Sequence, residues 1–496
     1  MEQQSIQVPG YGAIMICGSP FIDGRFRSAQ SDETLVTINP ATGQPIASIA
    51  ACGAADVDAA VASARKAFED GRWSRRSPKD RKLVLQRFAD LLDEHREELA
   101  LLETLEVGKP ISDTRSVDIP KAAYMIRWYA EAIDKQYGDV APTGPTALAL
   151  TTREPLGVVA AIIPWNFPLY LAAYKLGPAL ATGNSVILKP AEQSSLTALR
   201  AAELAVEAGL PEGVFNVVTG NGLTAGRALG LHMDVDCIAF TGSARTAKVF
   251  LRYAGESNMK KVQLEAGGKS PNIVMPDATD LDEIARQAAW GVFYNAGQVC
   301  SAGSRLLVHR NVHDELLGKI ADVTAEMKIG DPLDEATQIG ALIDEAQLRR
   351  VLGYIEQGKL EGAELVAGGN RTLLSSGGYF VEPTIFAGVS NQMAIARDEI
   401  FGPVLSVIGF DSADEAISIA NDSDFALGAA VWTSSIDTAH SVSALLHAGL
   451  VWVNNYDASD LTVPWGGFKQ TGTGRDKSLE AMNEYTGSKT VWIARR

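Results

Sequence analysis

From residue 156 onward the chain alternates short apolar, β-branched runs with stretches of helical spacing, and few folds accommodate such a pattern. Val158 to Ile163 reads as a strand and Leu169 to Leu180 as a helix. Ser185 to Leu188, Val214 to Val218 and Asp236 to Thr241 read as strands, with helices over Ser194 to Ala208, Gly222 to Leu231 and Ser243 to Ala254. Strands in this order form a parallel sheet joined by right-handed crossovers. Ligands of such sheets bind at the carboxyl ends of the strands. A second block begins near Val262 to Glu265, with strands expected at Ile273 to Met275 and Arg305 to His309 and a helix at Leu281 to Phe293. The pattern continues to about residue 475, and the fold class is α/β.

Before residue 156 the spacing is mainly helical. Val57, Val61, Ala64 and Phe68 lie on one face. Ser77-Pro78 is an N-cap with proline at the first helical position. Leu83, Phe88, Leu91 and Leu92 follow on an apolar face, and Gly108-Lys109-Pro110 stops the run. Residues 155–174 carry no charge, but Pro164, Asn166 and Pro168 make a strand, a turn and a helix the better reading than a membrane span. Met1 to Gly18 lacks Lys and Arg, hence the basic start of a secretory signal, and reads as a loose extension over 1–20. The length, 496 residues, calls for more than one core, and a net charge of −16 lacks the basic footprint of nucleic-acid binding. Cys17, Cys52, Cys237 and Cys300 match no zinc or redox spacing, so a reducing cytoplasm and no metal are expected.

Four constellations carry chemistry. Gly297-Gln298-Val299-Cys300-Ser301 sets a cysteine among small residues, which reads either as an inert buried thiol or as a nucleophile that substrate can approach. Leu264-Glu265-Ala266-Gly267-Gly268-Lys269 ends an apolar strand with a carboxylate, either a hydrogen-bonding Glu or a general base. Asn166, within Ile163-Pro164-Trp165-Asn166-Phe167-Pro168, is either a turn former or an amide donor to an oxyanion. In the fourth, Lys189 and Glu192 follow a strand, and Gly220 to Gly226 and Thr241-Gly242-Ser243 precede helices. A carboxylate there can accept both hydroxyls of an adenosine ribose, which favours NAD, and glycines admit a pyrophosphate to a helix start. The spacing G-x-G-x-x-x-G departs from the usual dinucleotide fingerprint.

Together, and in this order, these segments resemble the aldehyde dehydrogenase superfamily. The likeness runs from Phe21-Ile22-Asp23-Gly24 to Thr490-Val491-Trp492 and includes Glu399-Ile400-Phe401-Gly402-Pro403. It implies a Rossmann-like NAD domain (21–137 and 154–264), an α/β catalytic domain (265–475) and a small β oligomerisation element (138–153 and 476–496). It implies that Cys300 attacks the aldehyde, that Asn166 and the Cys300 N–H hold the oxyanion, and that Glu265 activates the hydrolytic water. Lys175 and Asp476 match positions that relay protons in some relatives; an ion pair is the plainer reading for Asp476. For the cofactor it implies Ile163, Trp165, Lys189, Glu192, Gly222, Gly226, Thr241, Gly242, Ser243, Glu399 and Phe401. Arg245 stands where relatives have Glu, so NAD is expected with NADP possible.

Val453 to Asp457, Val463 to Gln470 and Gly474 to Leu479 are similar to the polyamine-catabolic branch, which oxidises γ-glutamyl-γ-aminobutyraldehyde and related ω-amino or guanidino aldehydes. Tyr170, Tyr174, Tyr456 and Trp465 would then wall the substrate, with Asp457 and Asp460 attracting its tail. The alternatives are a broad-specificity or betaine-type aldehyde dehydrogenase, a CoA-acylating relative, and a non-catalytic structural member. The strand-like runs Thr146 to Thr151 and Lys489 to Ile493 would expose apolar edges unless a neighbouring subunit covers them, so a homo-oligomer is expected, a tetramer before a dimer.

Overall fold

Val158–Ile162 is an interior strand of a seven-stranded sheet and is buried at every position, as its unbroken apolar run requires. The structure, a computed structural model, describes residues 3–495. Ser185–Lys189 and Phe215–Val217 follow on one side of this strand, and Cys237–Thr241 and Lys261–Glu265 on the other. All five run parallel. Phe21–Ile22 runs antiparallel to Phe215–Val217, and Arg25–Phe26, paired to it, closes that edge. The winding reverses beside Val158–Ile162, so the segments leaving it and Cys237–Thr241 border the crevice where such sheets bind ligands.

The second sheet also has seven strands, in the order Glu364–Ala367, Thr384–Ala387, Val404–Phe410, Arg305–His309, Pro271–Val274, Gly428–Trp432, Leu450–Val453. Only Glu364–Ala367 runs antiparallel. Each sheet anchors its own apolar clusters, so the length is divided as surface-to-volume scaling demands.

The uncharged stretch 155–174 divides as expected into strand, turn and the helix Pro168–Ala181. That helix is buried on nearly all sides, and Pro168 sits at its start, where a missing N–H costs nothing. Among the described residues, no helix is long and apolar enough to cross a membrane. Ser77 caps Pro78–Glu94 by accepting the Asp80 N–H, and Gly108, at φ 74°, ends Arg96–Val107. Leu83, expected on the apolar face, is 56% exposed; Leu85 takes the buried position.

Four expectations are corrected. The start of the chain is not a loose extension: Gln3–Val8 and Gly12–Cys17 form an antiparallel hairpin with Ile6 and Val8 buried. Alternation around Pro9-Gly10-Tyr11-Gly12 carried that signal. The region before residue 54 is likewise strand, with Thr34–Asn39 paired to Gln44–Ala50. The runs at Thr146–Thr151 and Lys489–Ile493 pair with each other, Thr490 opposite Thr151 and Ile493 opposite Leu148. This in-chain pairing covers one edge of each, yet Trp492 remains 64% exposed. Gly222 to Leu231 is also not one α-helix; a wide turn, Gly222–Gly226, leads into Arg227–Leu231.

Candidate active site

Cys300 lies in the loop between the helix Leu281–Phe293 and the strand Arg305–His309, and it is part-buried. The approach is strained, because Asn295, Ala296 and Gly297 have φ of 50°, 51° and 74° in succession. An L-residue in that conformation costs about 1 kcal/mol and persists only where its surroundings hold it. Here Gln298 does the holding. Its side chain accepts from the Ile343 N–H at 2.9 Å and donates to the Asn295 carbonyl at 3.2 Å, while its own carbonyl accepts from Asn166 Nδ2 at 2.9 Å. Asn295 donates to the Asn166 carbonyl at 3.1 Å.

Asn166 is thus tied to the cysteine loop at both its backbone and its amide. An amide NH₂ carries two donors, and the bond to Gln298 uses one, so the other is free for an oxyanion. Among the described residues the Cys300 N–H makes no hydrogen bond, which leaves a second donor beside the sulfur. The turn carrying Asn166 is braced from below by Lys109. Its ammonium lies 3.6 Å from the Phe167 ring centroid and pairs with Asp118, and both side chains are fully buried.

Glu265 ends the strand Lys261–Glu265, 4% exposed, with Oε1 unpartnered. Burial, reinforced by the charge of Asp476 and offset by Lys175, holds its carboxyl well above the usual carboxylate range. A Cβ on Gly466 would come within 2.6 Å of Glu265 Oε1, so the absence of a side chain there leaves the carboxylate its space. Lys175 donates to both oxygens of Asp476, at 2.9 and 2.7 Å, and the pair is buried. Breaking such a pair costs about 3–5 kcal/mol. Lys175 reaches Glu265 through its field, with no hydrogen bond between them among the described residues.

Glu399 precedes the strand Val404–Phe410 and accepts the Gly268 N–H at 3.1 Å; a Cβ on Gly267 would clash with its carboxylate. Burial raises its pKa to about 7. A Cβ on Gly268 would lie 2.5 Å from the Cys300 carbonyl, so the glycine pair lets Glu399 and the cysteine loop close on one point. The Cys300 thiol is pushed up to about 12, first by burial and then by Glu399, Asp457 and Glu265. At neutral pH it is a thiol.

At the first sheet, Lys189 ends its strand and lies 3.8 Å from Glu192, whose side chain is 43% exposed. Ser243 caps the helix Ala244–Glu256 by accepting the Thr246 N–H at 3.3 Å. Nothing lies within 4 Å of a Cβ built on Gly222 or Gly226, so both face open space. Trp165 packs edge-on against Phe401 at 5.3 Å. The Ile163 side chain is buried in the core, so only its backbone can serve a ligand. Thr241 Oγ1 is buried without a partner beside Gly242. A half-exposed carboxylate, a capped helix start and an orphaned hydroxyl at adjacent strand ends suit a dinucleotide.

Asp457 and Tyr456 border a cavity of about 410 Å³ whose other walls include Trp290, Tyr294 and Val299. Asp457 accepts from Ser301 Oγ at 2.8 Å, and the Tyr456 hydroxyl donates to the Ser301 carbonyl at 2.6 Å. Tyr170 and Tyr174 pack edge to face at 4.8 Å. Trp465 lies beneath the Lys477 ammonium at 4.4 Å. Asp460 is exposed and turns its carboxylate to Thr462, apart from the cavity wall. Lys477 carries no sequence signal, since nothing in Arg475-Asp476-Lys477 shows that it is buried against Trp465. Asn295 was missed because its task is conformational.

The sequence matches the model of the aldehyde dehydrogenase family over residues 26–491. It is 54% identical to NADP/NAD-dependent aldehyde dehydrogenase PuuC of Escherichia coli, covering 96% of this chain and 95% of that protein. The structure matches that of γ-glutamyl-γ-aminobutyraldehyde dehydrogenase from Burkholderia cenocepacia at a TM-score of 0.96 and 55% identity, over 97% of this chain and 98% of the other. An indole-3-acetaldehyde dehydrogenase solved with NAD+ matches at 0.96 and 56%, over 97% of both chains. With the model spanning most of its length and relatives above half identity, the chain belongs to the aldehyde dehydrogenase family.

Proposed function

We propose that the protein oxidises an ω-amino or γ-glutamylamino aldehyde to its carboxylic acid with NAD, NADP also being accepted, through a thiohemiacetal and a thioester on Cys300. The reading is supported by one observation: Asn166, with one amide hydrogen left over, is tied to the cysteine loop, and the buried Glu265 lies within electrostatic reach of Cys300. Cys300 gives up its thiol proton to solvent and adds to the carbonyl carbon as the thiolate, and Asn166 Nδ2 and the Cys300 N–H stabilise the oxyanion. Bound NAD supplies the hydride acceptor. As the oxyanion collapses to a carbonyl, the carbon gives up its hydride and remains attached to sulfur as a thioester. Glu265, a stronger base than an ordinary carboxylate once ionised, takes a proton from the attacking water, and the acid leaves Cys300 as the thiol reforms. This base speaks for water rather than CoA as acceptor.

Lys189, Glu192, Gly222, Gly226, Thr241, Gly242, Ser243, Glu399 and Phe401, with Trp165 and the Ile163 backbone, form the proposed cofactor site. Arg245 is exposed beside Ser243, where an additional phosphate would meet a cation. We assign residues 21–137 and 154–264 to the cofactor domain, 265–475 to the catalytic domain, and 138–153 with 476–496 to an oligomerisation element serving a cytoplasmic homotetramer. The PuuC and γ-glutamyl-γ-aminobutyraldehyde relatives support the amino-aldehyde reading. Broad specificity is the second reading, favoured by the aromatic cavity wall and by the indole-3-acetaldehyde relative. A panel of γ-glutamylamino, guanidino, aliphatic and aromatic aldehydes, each with NAD and NADP, tests both. The proposal expects the highest kcat/KM for a nitrogen-bearing chain with NAD; equal values across the panel favour the second reading.

A further inference from the structure

We infer that Lys477 selects among aldehydes by their far end, favouring chains that terminate in a carboxylate, as a γ-glutamylamino group does, over chains that end in a bare amine or guanidine. This rests on the function proposed above and narrows it. Lys477 is 2% exposed. Its ammonium lies 4.4 Å from the Trp465 ring centroid and 5.4 Å from that of Tyr174, and it donates to Ser459 Oγ. It touches two of the aromatic side chains assigned to the substrate, and Asp457 and Cys300 lie within its electrostatic reach. Its backbone, at φ 59°, is held in the left-handed region, so its place is set by its surroundings.

The charges facing this end of the site decide the sign. Lys121 stands over the Tyr170 ring at 5.8 Å and acts on both Asp457 and Lys477. Asp457 opposes these two ammonium groups but already accepts from Ser301. Asp460 is engaged by Thr462 in its own loop. A bare ammonium or guanidinium passing Tyr170 and Tyr174 therefore meets like charge, which a part-desolvated site punishes. A carboxylate meets Lys477, and a γ-glutamyl end can set its carboxylate there.

The test compares kcat/KM for glutarate semialdehyde, 4-guanidinobutanal and hexanal with NAD. In Lys477→Met the ratio of the first to the second should fall at least about tenfold, with hexanal losing less than the carboxylate substrate. Lys477→Arg should keep the ratio. Asp457→Asn should raise it, and this variant decides the matter should the methionine form not fold. A ratio indifferent to Lys477→Met, a parallel loss on all three substrates, or an unraised ratio in Asp457→Asn overturns the inference. If the wild-type protein oxidises none of the three, the parent reading falls too; turnover of all three with an indifferent ratio sinks this inference alone.

Discussion

The first sheet reaches the site from the carboxyl ends of its strands, through Ile163, Lys189, Thr241 and Glu265. The second sheet reaches it from the amino ends of three of its own, through Gly268, Cys300 and Glu399. The two ends differ in backbone character. The carboxyl end at Thr241 leads into the helix Ala244–Glu256, capped by Ser243, whose start suits a phosphate without strain. The segments entering the second sheet carry left-handed Asn295, Ala296 and Phe401. The nucleophile is therefore presented on distorted backbone, locked by Gln298 and Asn295, while Glu265 ends a regular strand. The comparison predicts that a change at Cys300 stops turnover and spares cofactor binding, while a change at Glu192 alters affinity.

The harshest test is Cys300→Ala. Losing the nucleophile should lower NADH production by about 10⁵-fold or more, while the Kd for NAD measured by calorimetry stays close to wild type. Retained turnover would break the division at once. Glu265→Gln, at the junction of the two sides, should cut steady-state rate by about 10²–10⁴-fold yet keep a full first-turnover burst of NADH. In the wild type, deacylation should rise with pH through the elevated Glu265 pKa and fade below it, as the carboxylate takes up its proton. A limb in the ordinary carboxylate range would place the base elsewhere. Asn166→Ala should lower kcat by about 10²–10³-fold with acylation slowed most, read by stopped flow. The mildest change, Glu192→Gln, should raise the KM for NAD by about tenfold and leave kcat near wild type, since a carboxylate accepting two hydroxyls contributes roughly 1.5 kcal/mol more than an amide.

The same division explains what could be read in advance. The unbroken runs at Val158–Ile162 and Ser185–Lys189 announce central parallel strands, and the rule for carboxyl ends then locates Glu192, Ser243 and Glu265. No general rule reaches the amino ends. Cys300 and Glu399 were found through resemblance, since a cysteine among small residues reads equally well as core filler. Lys477 stayed hidden because its meaning depends on Trp465 and Tyr174, which are distant in sequence and share no periodicity with it. The N-terminal hairpin was misread for a local reason. The absence of Lys and Arg from Met1 to Gly18 points to looseness, whereas the alternation of Ile6, Val8, Ile14 and Ile16 is already a strand signal.

The ring of acidic side chains about Cys300 has a consequence for the enzyme between turnovers. Burial first, and Glu399, Asp457 and Glu265 after it, push the thiol up to about 12, and peroxides and stray electrophiles attack thiolates far faster than thiols. Before a reaction is under way the protein therefore hides its most vulnerable atom in an unreactive form, and an idle pool should outlast oxidative exposure that would inactivate a cysteine with a depressed pKa.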